Sequence, residues 1–208
     1  MEDSRTQAAR KHFDRWARTY EDDRASQRLR ELQREALAAL DLGPDDGMLD
    51  VGCGTGAAVR EAALTASRAA GFDLSPAMIA RARTLADGVE NVDFHEGDAT
   101  GALPFADGEF SAVLCTTAFH HFTAPARALA EMARILGPGG RLVIADANAD
   151  RALVRVLDIA MRMFQRSHVG FPRPSRLIAD LRRLGFTTAE VRTLWSGGYA
   201  IVRAAKPA

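Results

Sequence analysis

A glycine-rich segment, with an acidic residue two positions before its first glycine, is the strongest chemical signal in the sequence. Residues 49–56 read LDVGCGTG and stand between a short apolar run and a helical pattern. Glycines at such a junction let the backbone approach a ligand closely, and the amides and dipole of the following helix attract a carboxylate or phosphate. The GxGxG spacing of Gly52, Gly54 and Gly56 differs from the GxGxxG of dinucleotide-binding loops. It therefore argues against a nicotinamide-dependent dehydrogenase.

Two further carboxylates follow the next two predicted strands. Asp73 lies at the end of the run 69–74, and Asp98 follows the run 91–96. A carboxylate in the first position can accept both hydroxyls of a ribose, and one in the second can accept from the amino group of an adenine. Because the carboxyl ends of parallel strands meet at one rim, Asp50, Asp73 and Asp98 are expected to converge there. Taken singly, Asp73 and Asp98 could each be an ordinary loop or helix-capping residue.

His120 and His121 follow the fourth predicted strand and are the candidates for proton transfer. A histidine titrates near neutral pH, so it can accept a proton from a nucleophile. Adjacent side chains point apart, and we therefore expect His120 to face a substrate and act as the catalytic residue, with His121 facing the protein. The alternative for His120 is a structural role at the start of the next helix. No metal site is predicted.

Short apolar runs alternate with helical patterns from residue 47 onward, which indicates an α/β fold. Strands are predicted at 48–51, 69–74, 91–96, 110–115 and 140–145, with helices at 57–68, 76–87 and 123–136 between them. Such alternation is typical of a mostly parallel sheet covered on both faces. The tail adds a helix at 174–184 and strands at 186–194 and 199–204 around a Gly197-Gly198 turn. Strands joined by a short turn are antiparallel, so the seventh strand should run against the others.

The first 44 residues are predicted to be helical, ending at Leu42-Gly43-Pro44. Phe13, Trp16 and Tyr20 recur at helical spacing, and they could form a lid over the ligand or simply pack between helices. A single domain spanning residues 1–208 is expected. It would comprise the helical lid (1–44), a cofactor-binding core (45–147), and an acceptor-side insertion with the final strands (148–208).

These motifs together resemble the class I S-adenosylmethionine-dependent methyltransferases, particularly the small group that includes the ubiquinone and menaquinone C-methyltransferases. The matching segments are LDVGCGTG at 49–56, GFDLSPAMIARAR at 71–83, EGDATGALPFADGEFSAVLC at 96–115, FHHF at 119–122 and RILGPGGRLVIAD at 134–146. The resemblance covers about residues 45–205, and FDRWARTYED at 13–22 is similar to that group's aromatic entry helix. It implies a three-layer Rossmann-like sandwich. It also implies methyl transfer from S-adenosylmethionine to a small-molecule acceptor, with S-adenosylhomocysteine as product.

The resemblance also assigns roles to individual residues. Asp50 and the loop would hold the methionine part of the cofactor, Asp73 the ribose, and Leu74 and Met78 the two faces of the adenine. Asp98 and the backbone of Ala99 would bind the adenine edge. The implied cofactor-binding set is Tyr20, Asp50, Gly52, Cys53, Gly54, Gly56, Asp73, Leu74, Met78, Asp98, Ala99, Cys115 and Thr116.

The segment 151–174 is where this fold usually builds its substrate wall. Leu153, Val156, Leu157, Ala160, Met161 and Phe164 recur there at helical spacing, and we expect them to be core, the alternative being contact with a hydrophobic acceptor. Arg151, Arg155, Arg162 and Arg166 would share one helix face, which would suit an anionic substrate or membrane surface.

The charges balance overall, with 27 basic and 27 acidic residues, but they are segregated along the chain. Residues 35–150 carry 7 basic against 17 acidic residues, and residues 151–208 carry 11 against 3. An acidic centre suits a cationic cofactor, although ordinary solvated salt bridges would give the same pattern. Two cysteines without CxxC spacing, no apolar leader and no membrane-spanning run together favour a cytoplasmic enzyme.

Other functions compete with methyl transfer to a small molecule. A nucleic-acid methyltransferase is not expected, because the fourth strand ends in Cys115-Thr116-Thr117-Ala118 and lacks the tetrad that presents a flipped base. A lipid methyltransferase and a cofactor-binding protein without turnover are the remaining alternatives. The acceptor, the methylated atom and the oligomeric state stay open at this point.

Overall fold

A seven-stranded sheet forms the middle layer of the structure, a computed structural model that describes residues 4–208. The strands are β1 (Gly47–Val51), β2 (Arg68–Asp73), β3 (Val92–Glu96), β4 (Phe110–Thr116), β5 (Leu136–Ala147), β6 (Thr188–Leu194) and β7 (Tyr199–Ala205). They lie in the order β3-β2-β1-β4-β5-β7-β6. The pairs among β1 to β5 are parallel, and β7 is antiparallel to both β5 and β6. The predicted mostly parallel sheet with an antiparallel last strand is confirmed.

Helices cover both faces of this sheet and make the three layers. They are α1 (Ser4–Trp16), α2 (Arg24–Ala38), α3 (Ala57–Ala62), α4 (Pro76–Leu85), α5 (Pro125–Arg134), α6 (Ala152–Phe164) and α7 (Pro174–Arg183). Successive strand side chains point to opposite faces, so Leu49 packs in one core with α5 and α7, whereas Met48 packs in the other with α2, α3 and α4. Burial on both faces explains why β2 and β4 read as largely apolar runs, whereas β3 at the sheet edge is mostly polar and partly exposed.

The amino-terminal region is two helices, not the one continuous helix predicted. α1 ends at Trp16, and α2 begins at Arg24 after a turn. The Asp23 side chain caps α2 by accepting from the Ser26 backbone amide at 3.2 Å. Aspartate favours such caps over helix interiors, so the run Glu21-Asp22-Asp23 breaks the helix although the apolar spacing continues on both sides. α2 also ends at Ala38, before the predicted Leu42-Gly43-Pro44 stop.

Four of the six apolar residues of α6 that were predicted to belong to the core face outward, so the prediction is wrong for Leu153, Val156, Leu157 and Phe164, whereas Ala160 and Met161 are half-buried. Leu153 is 81% exposed and Phe164 is 83% exposed. The side chain that α6 buries is the carboxylate of Asp158. The predicted arginine face is also shorter than expected, because Arg151 precedes the helix and Arg166 follows its last residue.

The limits of the domain stay predictions. Residues 1–3, on which the expected absence of a leader partly rests, lie outside the described residues. Within residues 4–208, no helix has the length and hydropathy required to cross a bilayer.

Two leucine-to-alanine substitutions should distinguish a buried leucine of α2 from an exposed leucine of α6 by their effects on stability. Leu32 is fully buried between α2 and the sheet, so Leu32→Ala should lower the free energy of unfolding by about 2–5 kcal/mol. Leu153→Ala, at an exposed position, should change it by less than about 0.5 kcal/mol. Urea denaturation followed by circular dichroism measures both. Equal losses would mean that the outer face of α6 is packed against protein.

Candidate functional site

A cleft enclosing about 1020 Å³, part of it open to solvent, lies at the carboxyl ends of β1 to β4. α1, α2 and the turn between them form its other wall. Most of the residues that the sequence assigned to a cofactor site line this cleft: Tyr20, Gly52, Cys53, Gly54, Asp73, Leu74, Met78, Asp98, Ala99 and Thr116. The convergence expected from parallel strand ends is therefore present.

Four predicted site residues do not line the cleft. Asp50 is buried beside it, and Cys115 is fully buried in the core that contains Phe119. Gly56 is the first residue before α3 and has a positive φ of 76°; a Cβ there would lie 2.6 Å from the Phe94 ring. A glycine is thus required here for packing α3 on the sheet, and its contact with a ligand stays a prediction. His120 is the fourth.

The glycine loop follows β1 and passes very close to the turn after β4. Gly52 has a φ of 82°, and a Cβ built there would lie 2.3 Å from the Cβ of Ala118. Only glycine fits such an approach in a left-handed conformation. The backbone of the loop is consequently exposed to the cleft without side chains covering it.

Asp73 ties the loop to the end of β2. One carboxylate oxygen accepts from the Gly54 amide at 2.8 Å, and the other accepts from the Ser75 amide at 2.9 Å. Desolvation raises the pKa of Asp73, while these two amide donors oppose the rise. Each oxygen keeps a further lone pair, so the carboxylate can organise the loop and still accept from a ligand.

Asp98 differs from Asp73, because only one of its two carboxylate oxygens accepts hydrogen bonds from the described residues. Oδ1 accepts from both the amide and the hydroxyl of Thr100, at 2.8 and 2.7 Å. Those bonds fix the orientation of the side chain at the cleft wall. Oδ2 is left to accept from a ligand donor.

Asp50 is a buried carboxyl group for which no hydrogen-bond partner exists among the described residues. Both of its oxygens are buried and unpaired. Desolvation and the neighbouring Asp73 raise its pKa to about 8. A cation bound in the cleft would favour the ionised form, so an orphaned carboxylate beside the glycine loop fits a positively charged ligand better than a neutral or anionic one.

The turn between α1 and α2 is fastened directly to the glycine loop. Glu21 accepts from the Thr55 hydroxyl at 2.5 Å and also pairs with Arg30 of α2. The preceding residue, Tyr20, packs edge-on against Trp16 with ring centroids 4.8 Å apart. Burial raises the pKa of Tyr20 to about 12, so its phenol stays protonated and can donate.

A second link joins α1 to α4. Asp14 accepts from the Ser75 hydroxyl at 2.6 Å, at the amino end of α4. The aromatic residues of α1 and the following turn are evident from helical spacing, whereas Glu21, Arg30 and Thr55 are not. A carboxylate that pairs with residues 9 and 34 positions away leaves no periodic signal, and only the folded turn brings these groups together.

The two histidines are placed opposite to the expectation. His120 points away from the cleft, and its Nδ1 lies 2.9 Å from each carboxylate oxygen of the buried Asp146. His121 lines the cleft. The reason is the Asp146 carboxylate, which holds His120, while the 3-10 turn Phe119–His121 rotates the next side chain by about a third of a turn. Catalysis by His120 is not tested by this arrangement and stays a prediction.

The surroundings of His121 select one tautomer of its ring. Nδ1 lies 2.6 Å from the carbonyl oxygen of Ser167, and because a carbonyl can only accept, Nδ1 must donate. Nε2 of the neutral ring then carries the lone pair. Burial, followed by the nearby His120, lowers the pKa of His121 well below its usual value, so the ring is neutral at pH 7.

Cysteine and metal chemistry receive no support from the described residues. Burial raises the pKa of both Cys53 and Cys115, which disfavours a thiolate nucleophile at either position. Between residues 4 and 208, no group of three or more His, Cys, Asp or Glu side chains is placed to hold a metal ion.

Comparison with known proteins adds independent information. Residues 49–144 match a family model described as a methyltransferase domain. A demethylmenaquinone methyltransferase from Clavibacter sepedonicus is 30% identical over 181 residues, covering 77% of this chain and 74% of the relative. One from Tropheryma whipplei strain Twist is 35% identical over 154 residues, covering 72% of this chain. The chain spans only 63% of the length of that second relative.

Solved structures show the same fold. A SAM-dependent methyltransferase from Thermotoga maritima superimposes with a TM-score of 0.75 at 23% identity, covering 95% of this chain and 99% of the other. At that identity the likeness concerns the fold alone.

The raised pKa of Asp50 predicts how stability changes with pH. Between the unfolded pKa of 3.8 and the folded value of about 8, the folded protein binds the extra proton, so raising the pH through this window destabilises it. Asp50→Asn removes that dependence. The stability of Asp50→Asn relative to wild type should rise between pH 5 and pH 8, by up to about 1.4 kcal/mol per pH unit. Urea denaturation at each pH provides the measurement, and parallel curves for the two proteins would contradict the assignment.

Proposed function

This chain belongs to the class I S-adenosylmethionine-dependent methyltransferases, and we propose that it transfers the methyl group of S-adenosylmethionine to an apolar aromatic small molecule that carries a hydroxyl group. The observation that carries the proposal is the grouping of three carboxylates, Asp50, Asp73 and Asp98, around one cleft floored by a glycine loop. Net negative charge with an uncovered backbone suits a cation that has both nucleoside and amino-acid parts.

The residues at the cleft fit that cofactor part by part. Asp73 would accept from the ribose hydroxyls and Oδ2 of Asp98 from the adenine amine, while Met78 and Leu74 offer apolar contact to the base. The loop at Gly52–Gly54 and the ionised Asp50 would hold the cationic amino-acid end. When bound, S-adenosylmethionine supplies an electrophilic methyl group on a positively charged sulfur.

The remaining wall of the cleft supports an apolar acceptor. It is formed by α1, α2 and the turn after β4, and its side chains are mainly aromatic, aliphatic or uncharged: Thr6, Ala9, Phe13, Leu29, Phe122 and Thr123. Relatives of this chain are named demethylmenaquinone methyltransferases, and that name describes a bicyclic aromatic acceptor. A reduced naphthoquinone is therefore the acceptor we propose to test first.

His121 is the group we propose as the base for this acceptor. Its Nδ1 donates a hydrogen bond to the Ser167 carbonyl, so Nε2 is the ring nitrogen that can accept a proton. Removing the hydroxyl proton of a quinol makes its oxygen and ring carbons more nucleophilic. The Phe13 ring stands edge-on to His121 with centroids 5.0 Å apart, and together with Tyr20 it would limit the access of water to the reacting groups.

Cofactor binding is tested by one substitution with a matched control. Asp73→Asn removes the negative charge that two amides and a ribose would share, so affinity for S-adenosylhomocysteine should fall about tenfold to a hundredfold. Asp87→Asn, on an exposed turn, should bind as wild type does. Isothermal calorimetry measures the three proteins, with NADH as the ligand that should give no binding. Wild-type affinity in a folded Asp73→Asn would overturn the cofactor assignment.

Proton transfer is tested by comparing the two histidines. His121→Ala should lower kcat with a reduced naphthoquinone by about 10² to 10⁴-fold while leaving S-adenosylhomocysteine affinity within about twofold. Wild-type turnover should change little between pH 7 and pH 8, because the lowered pKa of His121 keeps its ring neutral there. His120→Ala should instead lower the melting temperature, since it leaves the buried Asp146 without its imidazole partner.

Three results would change the proposal. If His120→Ala loses turnover at unchanged stability while His121→Ala keeps it, the roles of the two histidines are reversed. Binding of S-adenosylmethionine without turnover of any apolar acceptor would favour a binding protein. Affinity for RNA that falls steeply with salt would favour a nucleic-acid substrate.

A further inference from the structure

We propose that the outer face of α6 docks this protein on the surface of an anionic lipid bilayer. The proposal starts from an apolar surface that no described part of the chain covers. Six side chains of one 13-residue helix are more than half exposed: Leu153, Val156, Leu157, Ile159, Met163 and Phe164. We call these six the α6 face.

The helix cannot turn this face into the protein, because a polar anchor fixes its rotation. Asp158 points inward, where it accepts from His168 Nε2 and from the Phe171 amide, each at 2.7 Å. Arg162 pairs with the same carboxylate at 2.7 Å. These contacts lower the pKa of Asp158, so the anchor stays ionised at neutral pH. Rotating α6 would leave a buried charge without its partners.

Arginine side chains border the α6 face. Arg155 on the helix, Arg151 just before it and Arg166 just after it are exposed and have no acidic partner among the described residues. At about 100° per residue, Arg155 and Arg162 fall within roughly 20° of each other, along one edge of the apolar arc, and Arg151 and Arg166 flank the two ends of the helix. An exposed apolar arc with arginines along its edge is the pattern of a helix that lies in the plane of a membrane interface.

The charge distribution selects an anionic bilayer over a second copy of the chain. Residues 151–208 carry 11 basic and only 3 acidic residues. Two such faces meeting across a two-fold axis would bring arginines against arginines, which opposes association. Anionic headgroups supply the opposite charge, and the acyl region accepts the apolar side chains.

The docked helix would be connected directly to the cleft. The segment that follows α6 holds both histidines: the Ser167 carbonyl accepts from His121, and the amides of Val169 and Gly170 donate to the carbonyl of His120. Bilayer docking does not depend on the proposed methyl transfer. If both hold, an acceptor dissolved in the membrane would meet a cleft that is attached to the membrane-bound helix.

Vesicle sedimentation tests the proposal without any measurement of activity. The full chain should co-sediment with vesicles of equal parts phosphatidylglycerol and phosphatidylcholine at least about ten times more strongly than with phosphatidylcholine alone, and 0.5 M salt should reduce the binding. Leu153→Ser combined with Phe164→Ser should weaken it at least about tenfold, since burial of two large apolar side chains is lost. Leu64→Ser, which replaces an equally exposed leucine at 86% exposure beyond α3, is the matched control and should bind as wild type does.

A second pair of substitutions separates charge from apolar contact. Arg155→Gln with Arg166→Gln should lower binding to the anionic vesicles and leave binding to the neutral ones unchanged. Circular dichroism and thermal melting should show all variants folded, since the altered positions are exposed. Equal binding to both vesicle types, or no binding by wild type, would overturn the proposal. So would a dimer in sedimentation velocity that Leu153→Ser with Phe164→Ser converts to a monomer, because the α6 face would then be an interface between copies.

Discussion

The Asp73 carboxylate is the interaction on which the geometry of the cleft depends. It accepts one amide from the glycine loop after β1 and another from the turn that starts α4, so a single side chain fixes the relative positions of two strand ends. The loop can bend to meet it only because Gly52 and Gly54 adopt positive φ angles of 82° and 53°. A side chain at Gly52 would collide with Ala118, and the loop would move away from Asp73. The two hydrogen bonds of Asp73 therefore determine which backbone groups of the glycine loop face a ligand in the cleft.

The cleft concentrates negative charge in a place from which water is partly excluded. Asp50 and Asp73 each raise the pKa of the groups near them, and the protein compensates with amide donors at Asp73 but not at Asp50. An unpaired buried carboxyl group destabilises a fold, so its presence at the loop is understandable if a cation completes the site. The turn between α1 and α2 contributes a further pair, Glu21 with Arg30, held against the loop through Thr55. The position of this turn and the conformation of the glycine loop are thereby linked through the same few residues.

α6 and the turn after β4 are coupled by polar contacts. Asp158 accepts from His168, and the Ser167 carbonyl accepts from His121. The amides of residues 169 and 170 donate to the His120 carbonyl, and the His120 ring is held by Asp146 at the end of β5. The rings of His120 and His168 lie 5.3 Å apart between these two aspartates. This network fixes the orientation of the His121 ring from the side that faces away from the cleft. It also explains why α6 presents its apolar side chains outward. Turning the leucines and the phenylalanine of α6 inward would leave the Asp158 carboxylate without its three partners.

The sequence by itself was sufficient to predict the seven strands, their mostly parallel arrangement and ten of the residues around the cleft. Strand runs, glycine spacing and acids at strand ends are local patterns, and parallel strands bring their carboxyl ends to one rim whatever the details of packing. Three features were decided only by the tertiary structure: the break before α2, the outward face of α6, and the choice of His121 over His120 at the cleft. Each depends on a polar contact that the apolar periodicity does not record: the cap at Asp23, the anchor at Asp158 and the Asp146 carboxylate that holds His120. The last two join residues 10 and 26 positions apart, and such partners become neighbours only after the chain has folded.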